Sequence, residues 1–135
     1  MDRAHAAIAL LVWASLGCAP VNPQATALVE YHRSGGIAGR TDLLVVRSDG
    51  TARLSRRGTA VDFTVSSDTL QQLRALLAAV DFAHLRAEYL PTRPGADLYE
   101  YVVIHEGRQV RTMDTAVPDA LQPLLQLLSG LVARR

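Results

Sequence analysis

"SSDTLQQLRALLAAVDF", Ser66 to Phe82, is where the period of the chain changes. Leu70, Leu73, Leu76, Leu77 and Val80 recur at helical spacing, Ser67 stands where an N-cap belongs, and Asp68 lies near the positive end of the helix dipole. Everything before it, from Thr26, reads at short period. "TALVEYHR" puts Ala27, Val29 and Tyr31 on one face of a strand. "TDLLVVR" (Thr41–Arg47) is almost continuously apolar, the pattern of a central strand covered on both faces. After the Asp49-Gly50 turn, "TARLSRR" returns with Ala52 and Leu54 inward, so a three-stranded antiparallel meander is expected ahead of the helix.

Beyond the helix, "AHLRAEYLPTRPGAD" reads as a loop marked by Pro91, Pro94 and Gly95. "LYEYVVIH" (Leu98–His105) and "RQVRTMD" (Arg108–Asp114) then form a second hairpin around Glu106-Gly107. In "PDALQPLLQLLSGLVARR", Pro118 suits a first helical position, whereas Pro123 would break an interior. A single turn therefore precedes a helix beginning near Gln122, with Leu124, Leu125, Leu128, Leu131 and Val132 as its apolar side. The order β-β-β-α-β-β-α specifies an α+β domain of two layers: an antiparallel sheet of about five strands with two helices on one face.

The 135 residues accommodate one such domain and a leader. All 14 basic residues are arginine, scattered among 13 acids to a formal charge of +1. With aromatics at 5% and no stripe of arginine interleaved with them, the chain has no electrostatic footprint for nucleic acid. Residues 1–17 read as a signal peptide: Arg3, then the apolar run "AAIALLVWAS", about half of the roughly 20 residues a membrane-spanning helix needs. Cys18, the sole cysteine, follows Leu16-Gly17 as in a bacterial lipobox, where the cysteine becomes the lipid-bearing first residue; the plainer alternative is ordinary cleavage nearby with Cys18 incidental. Residues 18–25, with Pro20 and Pro23, read as lipid-attachment cysteine and flexible tether, and 26–133 as the domain.

No constellation argues for catalysis. "HEGRQ" (His105–Gln109) starts like H-E-x-x-H but has Gln109 at the second ligand position, and His32 and His84 are distant in sequence. No G-x-S-x-G elbow is present. Asp97 and Glu100 face opposite sides of a strand, with Asp97 expected to hydrogen-bond backbone in the turn before it. Neither a metal nor a cofactor is expected. "RSGGIAGR" (Arg33–Arg40) joins two strands, so no helix N-terminus is available to cradle phosphate. Three glycines in eight residues mean an unusual backbone path or a close approach by something else. Ile37 is the one sizeable apolar side chain there. Both readings of the Ser34–Gly39 loop stay open at this point, the plainer being a wide turn with a bulge.

"YHRSGGIAGR" ending the first strand, "LRALLAAVDFAHL", "PGADLYEYVV", the Glu106-Gly107 hairpin and the leucine-rich terminal helix, in that order from about Thr26 to Val132, together resemble the emfourins, small protein inhibitors of thermolysin-like (M4) metallopeptidases. The resemblance implies an inhibitor that occupies the peptidase cleft without catalysis, metal or cofactor of its own; a monomer is expected. Ser34, Gly35, Gly36, Ile37, Ala38 and Gly39 of the glycine-rich loop are the candidate partner-binding residues, against the alternative that Ile37 folds back over the sheet and the glycines only widen the turn. It also implies that Ile37 meets an enzyme class favouring bulky apolar groups beside the scissile bond. Combined with the leader, the expectation is an exported bacterial protein, lipid-anchored to the envelope through Cys18. The competing function is a non-inhibitory envelope lipoprotein whose sheet or loops bind another protein or a small ligand.

Overall fold

The computed structural model describes residues 25–93 and 95–135; the expected signal peptide, Cys18 and the tether through Gln24 lie outside the described residues. The elements are β1 (Ala27–Gly35), β2 (Arg40–Arg47), β3 (Thr51–Arg56), β4 (Thr59–Thr64), α1 (Ser67–Ala79), β5 (Glu88–Tyr89), β6 (Tyr99–His105), β7 (Arg108–Met113), a 3-10 turn (Asp119–Leu121) and α2 (Gln122–Ala133). They build an α+β fold around one sheet of order β4-β3-β2-β1-β6-β7-β5.

The sheet has seven strands and is mixed, which corrects the expected five antiparallel ones: β5 pairs parallel to β7. One added strand is β4. Arg57 and Gly58, at φ +47° and +82°, make the two-residue turn whose twist suits a hairpin, and the chain returns along the sheet edge. All of β4 but Phe63 is exposed, so it carries little apolar signal. The other, β5, is two residues long. The second hairpin turns at Glu106-Gly107, φ +48° and +74°, where the sequence puts it.

Buried residues fall on one parity in each long strand: Val29 and Tyr31, Leu44 and Val46, Ala52 and Leu54, Val103, Val110 and Thr112. Their apolar members form one cluster with Leu73 and Leu77 of α1 and Leu124, Leu128 and Val132 of α2. Both helices therefore cover the same face. Strand β2 is buried on that face alone, with Leu43 and Val45 only half-buried on the other, so its apolar run does not mean cover on both sides. Tyr31 is the largest fully buried side chain, and its phenol reaches Ser129 Oγ of α2 at 2.6 Å. That bond satisfies a polar atom that would otherwise cost about 1–3 kcal/mol to bury.

Helix α1 is capped by Ser66 rather than the expected Ser67: Ser66 has extended backbone, and its Oγ accepts from the Thr69 N–H at 3.2 Å, a contact worth about 1 kcal/mol. Pro123 sits in the first turn of α2, where its missing N–H removes no helical bond.

Candidate partner-binding tip

Strand β1 ends at Gly35, and a four-residue turn carries the chain to Arg40, closed by the Gly39 N–H donating to the Gly36 carbonyl at 3.0 Å. Gly35, Gly36 and Gly39 have φ of +109°, +70° and +54°. All three occupy backbone that other residues reach only with strain.

What approaches this loop is the protein's own chain at the entry to β6. A Cβ on Gly35 would stand 2.5 Å from the Leu98 carbonyl oxygen, and one on Gly36 would stand 2.9 Å from Tyr99 Cζ. Gly36 donates its N–H to the same Leu98 carbonyl at 3.3 Å. At Gly39 a Cβ would meet nothing within 4 Å, so that glycine answers to its φ alone. Two of the three glycines thus let the root of the hairpin lie against Leu98-Tyr99. Ser34, Gly35 and Gly36 are half-buried in that contact, whereas Ile37, Ala38 and Gly39 are exposed. Ile37 is 89% exposed and does not fold back over the sheet.

The tip is braced from its other flank. Arg57 Nη2, in the β3–β4 turn, donates to the Ala38 carbonyl at 3.1 Å. Below it Arg33, Asp42 and Arg56 stand side by side across β1, β2 and β3 on the helix-bearing face. Asp42, 1% exposed, accepts from Arg33 Nη2 at 2.7 Å and Arg33 Nε at 3.1 Å, and from Arg56 Nε at 2.6 Å. Burial pushes the Asp42 carboxyl up, but the hydrogen bonds from Arg56 and Arg33 outweigh it and hold it below the ordinary carboxylate value. Arg56 continues to the carbonyls of Val132 and Arg135 at 3.0 and 3.1 Å, placing a cation at the negative end of α2. The β1–β2 and β3–β4 hairpins and the end of α2 are tied together directly beneath the tip.

This triad escaped the sequence reading although its signal is present. Asp42 shares the parity of Leu44 and Val46, and a carboxylate on a core face needs cationic partners. Similarly, Asp114 and not Asp97 makes the turn contact before β6: its Oδ2 accepts from the Tyr99 N–H at 2.8 Å, and its Oδ1 accepts from the Tyr101 hydroxyl at 2.5 Å. Burial, then the Asp114 carboxylate, raise the Tyr101 hydroxyl well above its usual value, so it stays a donor. Glu100 pairs with Arg111 at 2.6 Å.

The histidines do not converge. His105 donates Nδ1–H to the Leu28 carbonyl at 2.8 Å and His84 pairs with Asp81, and among the described residues no three His, Cys, Asp or Glu side chains form a group able to hold a metal ion. A hollow of about 670 Å³ lies at the far end of the sheet, between the last turn of α1 and the β6–β7 turn. Its wall is mixed: Leu77 and Phe82 are apolar, and Arg74 is engaged by the Ser48 carbonyl at 2.6 Å. Beside the tip a smaller hollow of about 250 Å³ is lined by Ala38, Arg40, Thr41, Asp42, Arg56 and Arg57. No helix among the described residues is long and apolar enough to cross a membrane. No protein-family model matches the chain, and no curated protein matches it.

Proposed function

We propose that this chain is a protein inhibitor of a thermolysin-like metallopeptidase, acting by insertion of the Ser34–Gly39 hairpin tip into the enzyme's cleft. The observation that carries the reading is Ile37: an aliphatic side chain 89% exposed on a turn held from both flanks by Leu98 and Arg57. A backbone already held in place has little entropy left to lose on docking, and the β-branched Ile37 side chain has few rotamers to give up. Its burial in an apolar pocket contributes about 1.5–3 kcal/mol. Ala38 and Gly39 keep the remainder of the tip narrow. The Gly36–Gly39 turn, with positive φ at both ends, departs from the extended path along which proteases align a substrate, so the tip fills the cleft without being cut. No catalytic group, metal or cofactor of the inhibitor takes part. The chain acts as a monomer, exported and held to the envelope by lipid on Cys18.

Titration against a panel of thermolysin-like peptidases tests this. Stoichiometric inhibition is expected from the native chain, with the 36–39 segment intact by mass spectrometry afterwards. Ile37→Asp is expected to weaken inhibition at least about a hundredfold, since it removes the apolar contact and drives a carboxylate into the same pocket. Equal potency of Ile37→Asp would remove Ile37 from the mechanism. Full peptidase activity at micromolar excess of folded protein would leave the non-inhibitory binding module as the function.

A further inference from the structure

The tip is electrically one-sided. The 250 Å³ hollow next to it is bordered by three guanidinium groups and a single carboxylate. That carboxylate, Asp42, is already engaged by Arg33 and Arg56, and both terminal nitrogens of Arg56 donate to the end of α2. Arg57 gives one N–H to Ala38. Arg40 is exposed and has no ion pair or side-chain hydrogen bond among the described residues. Nothing in the fold requires a cation at position 40, yet it stands at the first residue of β2, three positions from Ile37.

We propose that the partner surface adjoining the pocket for Ile37 carries carboxylate side chains, and that Arg40, with Arg57, steers the tip onto them. This rests on the inhibitor reading and names the chemistry of the surface it meets. The hollow opens beside the tip, so whatever receives Ile37 closes over it and brings its own groups within a Debye length, about 8 Å at physiological salt. Two guanidinium groups confined there complement an acidic rim. Charges at such a rim act mainly on the rate of association rather than on the lifetime of the complex.

The experiment measures association and dissociation rates of the native chain, Arg40→Glu and Arg108→Glu with a thermolysin-like peptidase that the native chain inhibits, at low and high salt. Arg108→Glu makes the same change in net charge at the opposite end of the sheet, and circular dichroism checks that each variant is folded. At about 20 mM salt, Arg40→Glu is expected to slow association roughly tenfold, with Arg108→Glu within about twofold of the native chain. At about 0.5 M salt the Arg40→Glu deficit should shrink below about twofold, and dissociation should change little throughout. Native and Arg40→Glu rates that agree at low salt, while inhibition persists, would overturn the acidic rim and spare the inhibitor. Equal slowing by both variants would assign the effect to net charge and overturn it too. Absence of inhibition by the native chain across the panel would overturn both.

Discussion

Replacing Gly35 by alanine should damage this protein far more than replacing Gly39, although both glycines lie in the same loop at positive φ. At Gly39, φ +54° lies in the left-handed region and the new methyl has open space, so the cost is backbone strain of about 1–2 kcal/mol. At Gly35, φ +109° is outside even that region, where strain runs to about 1–3 kcal/mol. The methyl would also stand 2.5 Å from a backbone carbonyl that cannot rotate away. Relieving that contact moves Leu98 and breaks the Gly36 N–H bond to it, a further loss of about 0.5–1.5 kcal/mol. The expected totals are about 3 kcal/mol for Gly35→Ala and about 1 kcal/mol for Gly39→Ala. With a urea slope of about 1.5 kcal/mol/M, the midpoint should fall by about 2 M in the first and about 0.7 M in the second. Urea unfolding followed by far-ultraviolet circular dichroism reads both. Equal losses in the two variants would refute the argument that β6 claims the glycine at the hairpin root.

Asp42→Ala strands Arg33 and Arg56 and should cost about 3–5 kcal/mol in the same assay, whereas an exposed acid such as Asp62 should cost under about 1 kcal/mol. Because the folded Asp42 carboxyl is held below its unfolded value of about 4, its contribution is fully present above that pH and is lost as the pH falls through the depressed folded value. Native protein should therefore lose stability more steeply than Asp42→Ala on acidification below about pH 4, and parallel acid profiles would contradict the pairing. Cys18→Ser should move the protein from the membrane fraction to the soluble exported fraction, and a native mature N-terminus lacking acyl mass on Cys18 would reject the anchor.

The helices were legible because leucine at three- and four-residue spacing survives any context, and Pro123 fixes the start of α2 almost unaided. The β6–β7 hairpin was legible from strand runs flanking Glu106-Gly107. By contrast, β4 was hidden by its turn: Arg57 adopts positive φ without the asparagine or aspartate that advertises one, and the strand that follows is too exposed to show a face. β5 is too short for any period, and its parallel pairing depends on where the chain arrives after α1. The candidate tip was half legible. Glycines at 35, 36 and 39 announced positive φ and a close neighbour, but nothing local could identify that neighbour as Leu98-Tyr99, some sixty residues on. Nothing local links Arg33 to Arg56, since their common partner is visible only once β1, β2 and β3 are aligned.

Strand β1 joins the two ends of the molecule. Its nine residues run from Ala27, where the described chain enters the sheet, to Gly35 beneath the tip, a stand-off of about 30 Å at strand rise. An attachment made directly at Ala27, whether to a resin or to a fused reporter, would stand a sheet's length behind Ile37 and leave the proposed docking end facing away from it. The opposite holds at the carboxyl side, where Arg56 grips the Arg135 carbonyl next to the tip. Cargo appended after Arg135 would crowd the proposed docking end, so immobilisation belongs at the amino side.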